Sequence, residues 1–134
     1  MSFREKSAWA MVLIMLVTGA TYMMLALNNP AAPLIGVVLP WTLLVVVLSI
    51  IVQGGLALSS PKEAQVGADE RERLIVDRAG RRSGLVLSTG VACALGVFVI
   101  DADGNRLFHL LVASLILSQL ADNVYQIVYL RRTI

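Results

Sequence analysis

Four stretches of this chain, about residues 8–27, 33–58, 83–100 and 107–130, are almost empty of charge. A backbone surrounded by hydrocarbon has no water to satisfy its N–H and C=O groups, so such stretches are restricted to helix or closed barrel. About 20 apolar residues at 1.5 Å each cover the roughly 30 Å of a bilayer core, and each run is close to that length. The first run follows Arg4-Glu5-Lys6 and ends at Asn28-Asn29-Pro30, too long for the apolar region of a cleavable signal peptide, and is read as an anchor.

Composition supports the same reading. Hydrophobic residues make up 57% of the chain and charged residues 15%, at a mean hydropathy of +0.78, more apolar surface than a soluble core of 134 residues absorbs. The expected fold is all-α: residues 1–134 form a single integral-membrane four-helix bundle, with a charged segment at about 61–82 that includes a cytoplasmic juxtamembrane helix between spans 2 and 3. Pro40 lies within the second span, where neighbours can satisfy the carbonyl it frees.

Orientation follows from the basic residues. Arg4, Lys6, Lys62, Arg71, Arg73, Arg78, Arg81, Arg82, Arg131 and Arg132 fall on one side of the proposed spans and Arg106 alone on the other. The positive-inside rule places the crowded side in the cytoplasm, with both termini, and the expected location is the inner membrane of a bacterium. The net charge of +2 is therefore read as topological, and direct nucleic-acid binding is not expected.

Asp101-Ala102-Asp103-Gly104-Asn105 separates the third and fourth runs and opens like a calcium-binding EF-hand loop. The match fails at the sixth position, which needs Gly and is Arg106, and at the twelfth, which needs Glu and is Val112. A polar hairpin is the expected structure. The only histidine, His109, has no second imidazole to join it, and no catalytic constellation of serine, cysteine or paired carboxylates can be drawn, so neither a cofactor nor a metal nor an enzymatic activity is expected. Cys93 is read as a small buried hydrophobe. Trp9, Trp41, Tyr22, Tyr125 and Tyr129 are read as packing and interfacial anchors.

Three sets of residues stand out as candidate sites. In the fourth span Gln119, Asp122, Asn123 and Gln126 recur at i, i+3, i+4, i+7 and share a face, with Ser118 one turn from Asp122. Asp122 lies nine residues before Arg131, roughly 13 Å along a helix, too far to snorkel. A carboxylate at a span's centre costs about 2.5–3.5 kcal/mol on insertion scales, so partners from adjacent spans are expected: Gln53 and Ser49 on the second, or Arg82 and Ser83 opening the third. Gly84, Ser88, Ala92 and Gly96 form a small-residue ridge that would admit another helix, from the same bundle, a second copy or a larger complex. In the charged segment, Asp69, Glu70, Arg71, Glu72, Arg73 and Asp77 begin a helix that runs into the third span, with a bend or hinge expected near Gly80; Asp69 with Arg73 and Asp77 with Arg81 fall at ion-pair spacing. Leu74, Ile75 and Val76 give it an apolar patch. Asp69, Glu70, Arg71, Arg73, Arg78, Arg81 and Arg82 are the expected contacts for anionic lipid headgroups or a soluble partner.

Ser2-Phe3-Arg4-Glu5-Lys6-Ser7 before the first span, Asp69-Glu70-Arg71-Glu72-Arg73 through Arg82 before the third, and the closing Arg131-Arg132 together resemble a family of small prokaryotic four-helix membrane proteins known only as a domain of unknown function. The resemblance covers nearly the whole chain. It implies four spans and no enzymatic activity, and a cytoplasmic helix-turn-helix regulator as a candidate partner. The expected role is a non-enzymatic binding, scaffolding or signalling module. The alternatives are a small proton- or cation-handling carrier or channel built on the Asp122 cluster, and an accessory subunit of a larger membrane complex.

Overall fold

A computed structural model describes residues 3–28, 34–59, 61–62 and 70–132. Among these, four long helices account for the architecture: α1 Phe3–Asn28, α2 Leu34–Ser59, α3 Glu70–Asp101 and α4 Gly104–Arg132. All four are long and apolar enough to cross a membrane, as a multi-pass membrane protein requires.

The chain runs up and down. One end of the bundle brings together Phe3, Glu70 and Arg132, because Arg4 pairs with Glu72 and Glu5 with Arg131; the other end holds the Asp101–Gly104 turn. The helices pack in the order α2, α1, α4, α3, so that α1 and α4 form the middle and α2 and α3 the flanks. Between α1 and α4 lie Ala8, Val12 and Ile127, with Leu120 against them. Tyr22, Val37 and Val112 join α1, α2 and α4 toward the turn end.

The α3 and α4 contact is made of small side chains. Ala79, Ser83 and Ala94 of α3 are buried, as are Ser114 and Ser118 of α4, and Gly90 lies directly against Ser114. Lipid is as apolar as leucine, so association within a bilayer depends on close backbone approach and on hydrogen bonds such as the one Ser118 donates to the Ser83 carbonyl, at 3.1 Å. The expected ridge is not the line that meets α4. Gly84, Ser88, Ala92 and Gly96 are all exposed, and a Cβ added at Gly84 or Gly96 would meet nothing within 4 Å. Cys93, expected to be buried, is exposed as well.

The charged segment is not set apart from the third span: from Glu70 onward it is the first three turns of α3 and runs into that span, helical without interruption through Gly80, where a bend or hinge was expected. Glu70 and Glu72 suit the positive end of the helix dipole, and the buried line Ile75, Ala79, Ser83 follows α4 across Gly80, whose propensity cost of only about 1 kcal/mol does not break it. α1 likewise starts before its apolar run, held by Glu5 and Ser7 through their partners on other helices.

The turn between α3 and α4 uses both its carboxylates locally. Ala102 adopts a left-handed backbone, φ 53°, as α3 ends. Asp103 caps α4, its Oδ1 accepting from the backbone N–H groups of Asn105 at 3.0 Å and Arg106 at 3.3 Å. Asp101 accepts from the Asp103 N–H at 3.1 Å and pairs with Arg106 at 2.6 Å.

Candidate functional site

The polar stripe of α4 does not form the single cluster that its spacing suggested. Ser118 belongs to the face against α3. Asn123, one turn from Ile127, is buried on the side that meets α1 and donates to the Gln119 carbonyl at 2.8 Å, while Gln119 itself is exposed. Asp122 is half-buried; its Oδ2 accepts from Gln126 Nε2 at 3.1 Å, and its Oδ1 is shielded without a hydrogen-bond partner among the described residues. Gln53 is elsewhere: its Oε1 accepts from the Ser7 hydroxyl at 2.8 Å, joining α2 to α1. With α1 standing between α2 and α4, Gln53 and Asp122 cannot share a site.

Register then moves Asp122 toward the charged end. The Ser118 bond to Ser83 fixes how the antiparallel pair is aligned. Asp122, four residues and about 6 Å further along α4, is level with Ala79, and so beside the charged turns of α3.

The same register makes Arg82 informative. Its backbone is level with Gln119, yet its guanidinium lies over the rings of both Tyr125 and Tyr129, at 5.7 Å from each centroid. Tyr125 is six residues, roughly 9 Å, nearer the charged end, so the side chain extends along α4 in the manner of a snorkelling arginine. The two rings are stacked at 6.2 Å and 19° and form one platform. The other candidates on this segment, Glu70, Arg71, Arg73, Arg78 and Arg81, are exposed. Asp77 and Arg81, at four-residue spacing, form no ion pair among the described residues. Asp69, and with it the expected pair to Arg73, lies outside the described residues.

Two polar features were not anticipated. At the charged end Glu5 is buried and accepts from Arg131 Nε at 2.9 Å, while the Arg131 guanidinium lies 5.6 Å over the Trp9 ring. Toward the turn end the buried Tyr22 hydroxyl is hydrogen-bonded to His109 Nδ1, with Trp41 edge-on to the tyrosine at 5.4 Å and Phe108 edge-on to the histidine at 6.1 Å. The Trp41 Nε1 is shielded and has no partner among the described residues. Tyr22, Trp41 and His109 lie at similar distances from the turn-side ends of their helices. That common depth was the available signal, but it needed the helix order to become a contact.

In comparisons with protein-family models, curated proteins and solved structures, nothing matches this chain.

Proposed function

We propose that this is a non-enzymatic, multi-pass protein of a bacterial inner membrane that binds a partner through the charged first turns of α3, with that end of the bundle in the cytoplasm. The observation that carries the reading is a stripe of mixed charge. Glu70, Arg73, Asp77 and Arg81 recur along the α3 face turned away from α4; all four are exposed, and Arg73, Asp77 and Arg81 have no ion pair among the described residues. Rigid attachment to a membrane helix lowers the conformational cost of presenting such a surface, and alternating signs give register and partner choice more than raw affinity. A soluble cytoplasmic regulator, including one of the helix-turn-helix type implied by the family resemblance, and a subunit of a larger membrane complex are the partners this surface suits.

The test is copurification from native membranes of the unaltered chain and of an Arg73→Glu/Asp77→Lys/Arg81→Glu variant. The expected result is a partner recovered with the first and lost with the second. Recovery of the same proteins with both would refute docking on this face.

A second reading, a small proton- or cation-handling carrier, draws on one observation, the shielded Asp122 Oδ1. Against it, the polar groups expected to join it are spent in other bonds: Gln126 to Asp122 itself, Asn123 to its own helix, Ser118 to α3 and the distant Gln53 to α1. Flux measurements in liposomes separate the two readings.

A further inference from the structure

The charged turns of α3 carry a second stripe of different character. Arg78 and Arg82, at i and i+4, immediately precede the buried Ala79 and Ser83, and therefore flank the seam with α4. Both are exposed, and neither has a carboxylate partner among the described residues: Glu72 pairs with Arg4, and Asp122 accepts from Gln126. The Arg82 guanidinium lies over Tyr125 and Tyr129, its central carbon 5.7 Å from each ring centroid, and none of its N–H groups donates to a partner among the described residues. A guanidinium attracted to aromatic rings with its N–H donors unspent keeps the planar fork that matches phosphate oxygens.

We propose that Arg78 and Arg82, the latter seated on Tyr125 and Tyr129, bind the phosphodiester of an anionic lipid headgroup. Two features favour a lipid over a free phosphate or a phosphorylated protein. The stripe lies where the charged turns of α3 meet its apolar part, the depth at which headgroups lie and at which tyrosine and arginine are enriched. The same stripe also continues into the apolar part: Leu85, seven residues past Arg78, is 68% exposed and offers a surface for an acyl chain directly beneath the two charges. This inference rests on α3 spanning a membrane, as the docking proposal does, but it uses the face of the charged turns that borders α4, next to the docking stripe, and no protein partner.

The experiment is native mass spectrometry of the purified full chain in detergent, titrated with phosphatidylglycerol, with phosphatidylcholine as the zwitterionic control and inorganic phosphate as competitor. Arg78→Gln/Arg82→Gln should weaken phosphatidylglycerol binding by about 30-fold, the effect of two basic residues at an anionic surface. Arg73→Gln/Arg81→Gln, on the mixed-charge stripe, should change it less than about twofold, and excess phosphate should displace little, because it lacks the acyl chain. Equal weakening by both double variants, no weakening by the first, or equal binding of phosphatidylcholine would overturn the proposal, and full displacement by phosphate would reassign the site to a free anion. Circular dichroism checks the fold. Should the first double variant lose helicity, Arg82→Lys, which keeps the charge and loses the fork, decides: a loss of threefold or more supports the site, and unchanged binding overturns it. Failure here leaves the docking stripe untouched, and loss of a copurified partner leaves this site untouched.

Discussion

Replacing single glycines of α3 by alanine tests which face of that helix is packed. At Gly90 an added Cβ would sit 2.4 Å from Ser114 Oγ, 2.8 Å from Ser114 Cβ and 3.5 Å from its Cα. The hydroxyl can rotate, giving up its 2.8 Å bond to the Leu110 carbonyl, but the Cβ moves only if α4 moves. Separating the pair would also stretch the nearby Ser118 to Ser83 bond. Overpacking of this kind costs about 1–3 kcal/mol. Alanine also gains about 1 kcal/mol in helix propensity over glycine, so Gly90→Ala should be destabilising by a net amount of about 0–2 kcal/mol. At Gly84 and Gly96, where the added Cβ meets nothing within 4 Å, only the favourable term remains. Propensity cancels between the sites, so the difference of about 1–3 kcal/mol isolates the packing cost.

Equilibrium unfolding in mixed micelles, followed by circular dichroism, measures that difference. Ser114→Gly should rescue Gly90→Ala by removing both close atoms, and a double-mutant cycle should report favourable coupling. Destabilisation by Gly84→Ala or Gly96→Ala equal to that at Gly90 would refute the reasoning, because it would mean that the outward line is packed against another helix. Ser88→Leu and Ala92→Leu belong to the same test and should leave stability within about 0.5 kcal/mol.

Asp122→Asn retains an acceptor for Gln126 and removes a shielded carboxylate, so the variant should fold with equal or greater stability, whereas Asp122→Leu should cost about 1–3 kcal/mol by stranding the Gln126 amide. Purified protein in liposomes should show no proton or sodium flux that depends on Asp122; a flux abolished in the Asn variant would establish the carrier. Tyr22→Phe keeps the edge contact to Trp41 and deletes the bond to His109, and should lower stability in micelles by about 0.5–1.5 kcal/mol, with no change contradicting that bond. Reporters inserted at Lys62 and fused after Arg132 should be cytoplasmic and one at Gly104 external; the reverse would remove the basis for both proposals about the charged turns.

The spans were legible because hydropathy along the chain is a one-dimensional property, and α2, observed over 34–59 against an expected 33–58, is set by it almost alone. The start of α1 was not, because Glu5 is tied to Arg131 from the far end of the chain, whereas the start of α3 was written locally in the acidic-then-basic run from Asp69 and is observed at Glu70. The α4 stripe shows a similar limit. Its spacing correctly put Asp122 and Gln126 within reach of each other, but nothing in the sequence states that α1 separates Gln53 from them.

The choice of ridge on α3 had a physical signature that strict periodicity hid. Each step of four residues turns a helix by about 40° beyond a full turn, so Gly84, Ser88, Ala92 and Gly96 wind through about 120° and do not stay on one face. Ile75, Ala79, Ser83, Gly90 and Ala94 are spaced four, four, seven and four, which drifts by about 100° over a longer stretch of helix, and this straighter line is the one that α4 covers. Hydropathy could not have separated the two, since small residues facing lipid and small residues facing a helix are equally apolar. Angular drift does separate them in this helix, because the covered line contains a seven-residue step that turns it back by about 20° while the even line keeps winding away.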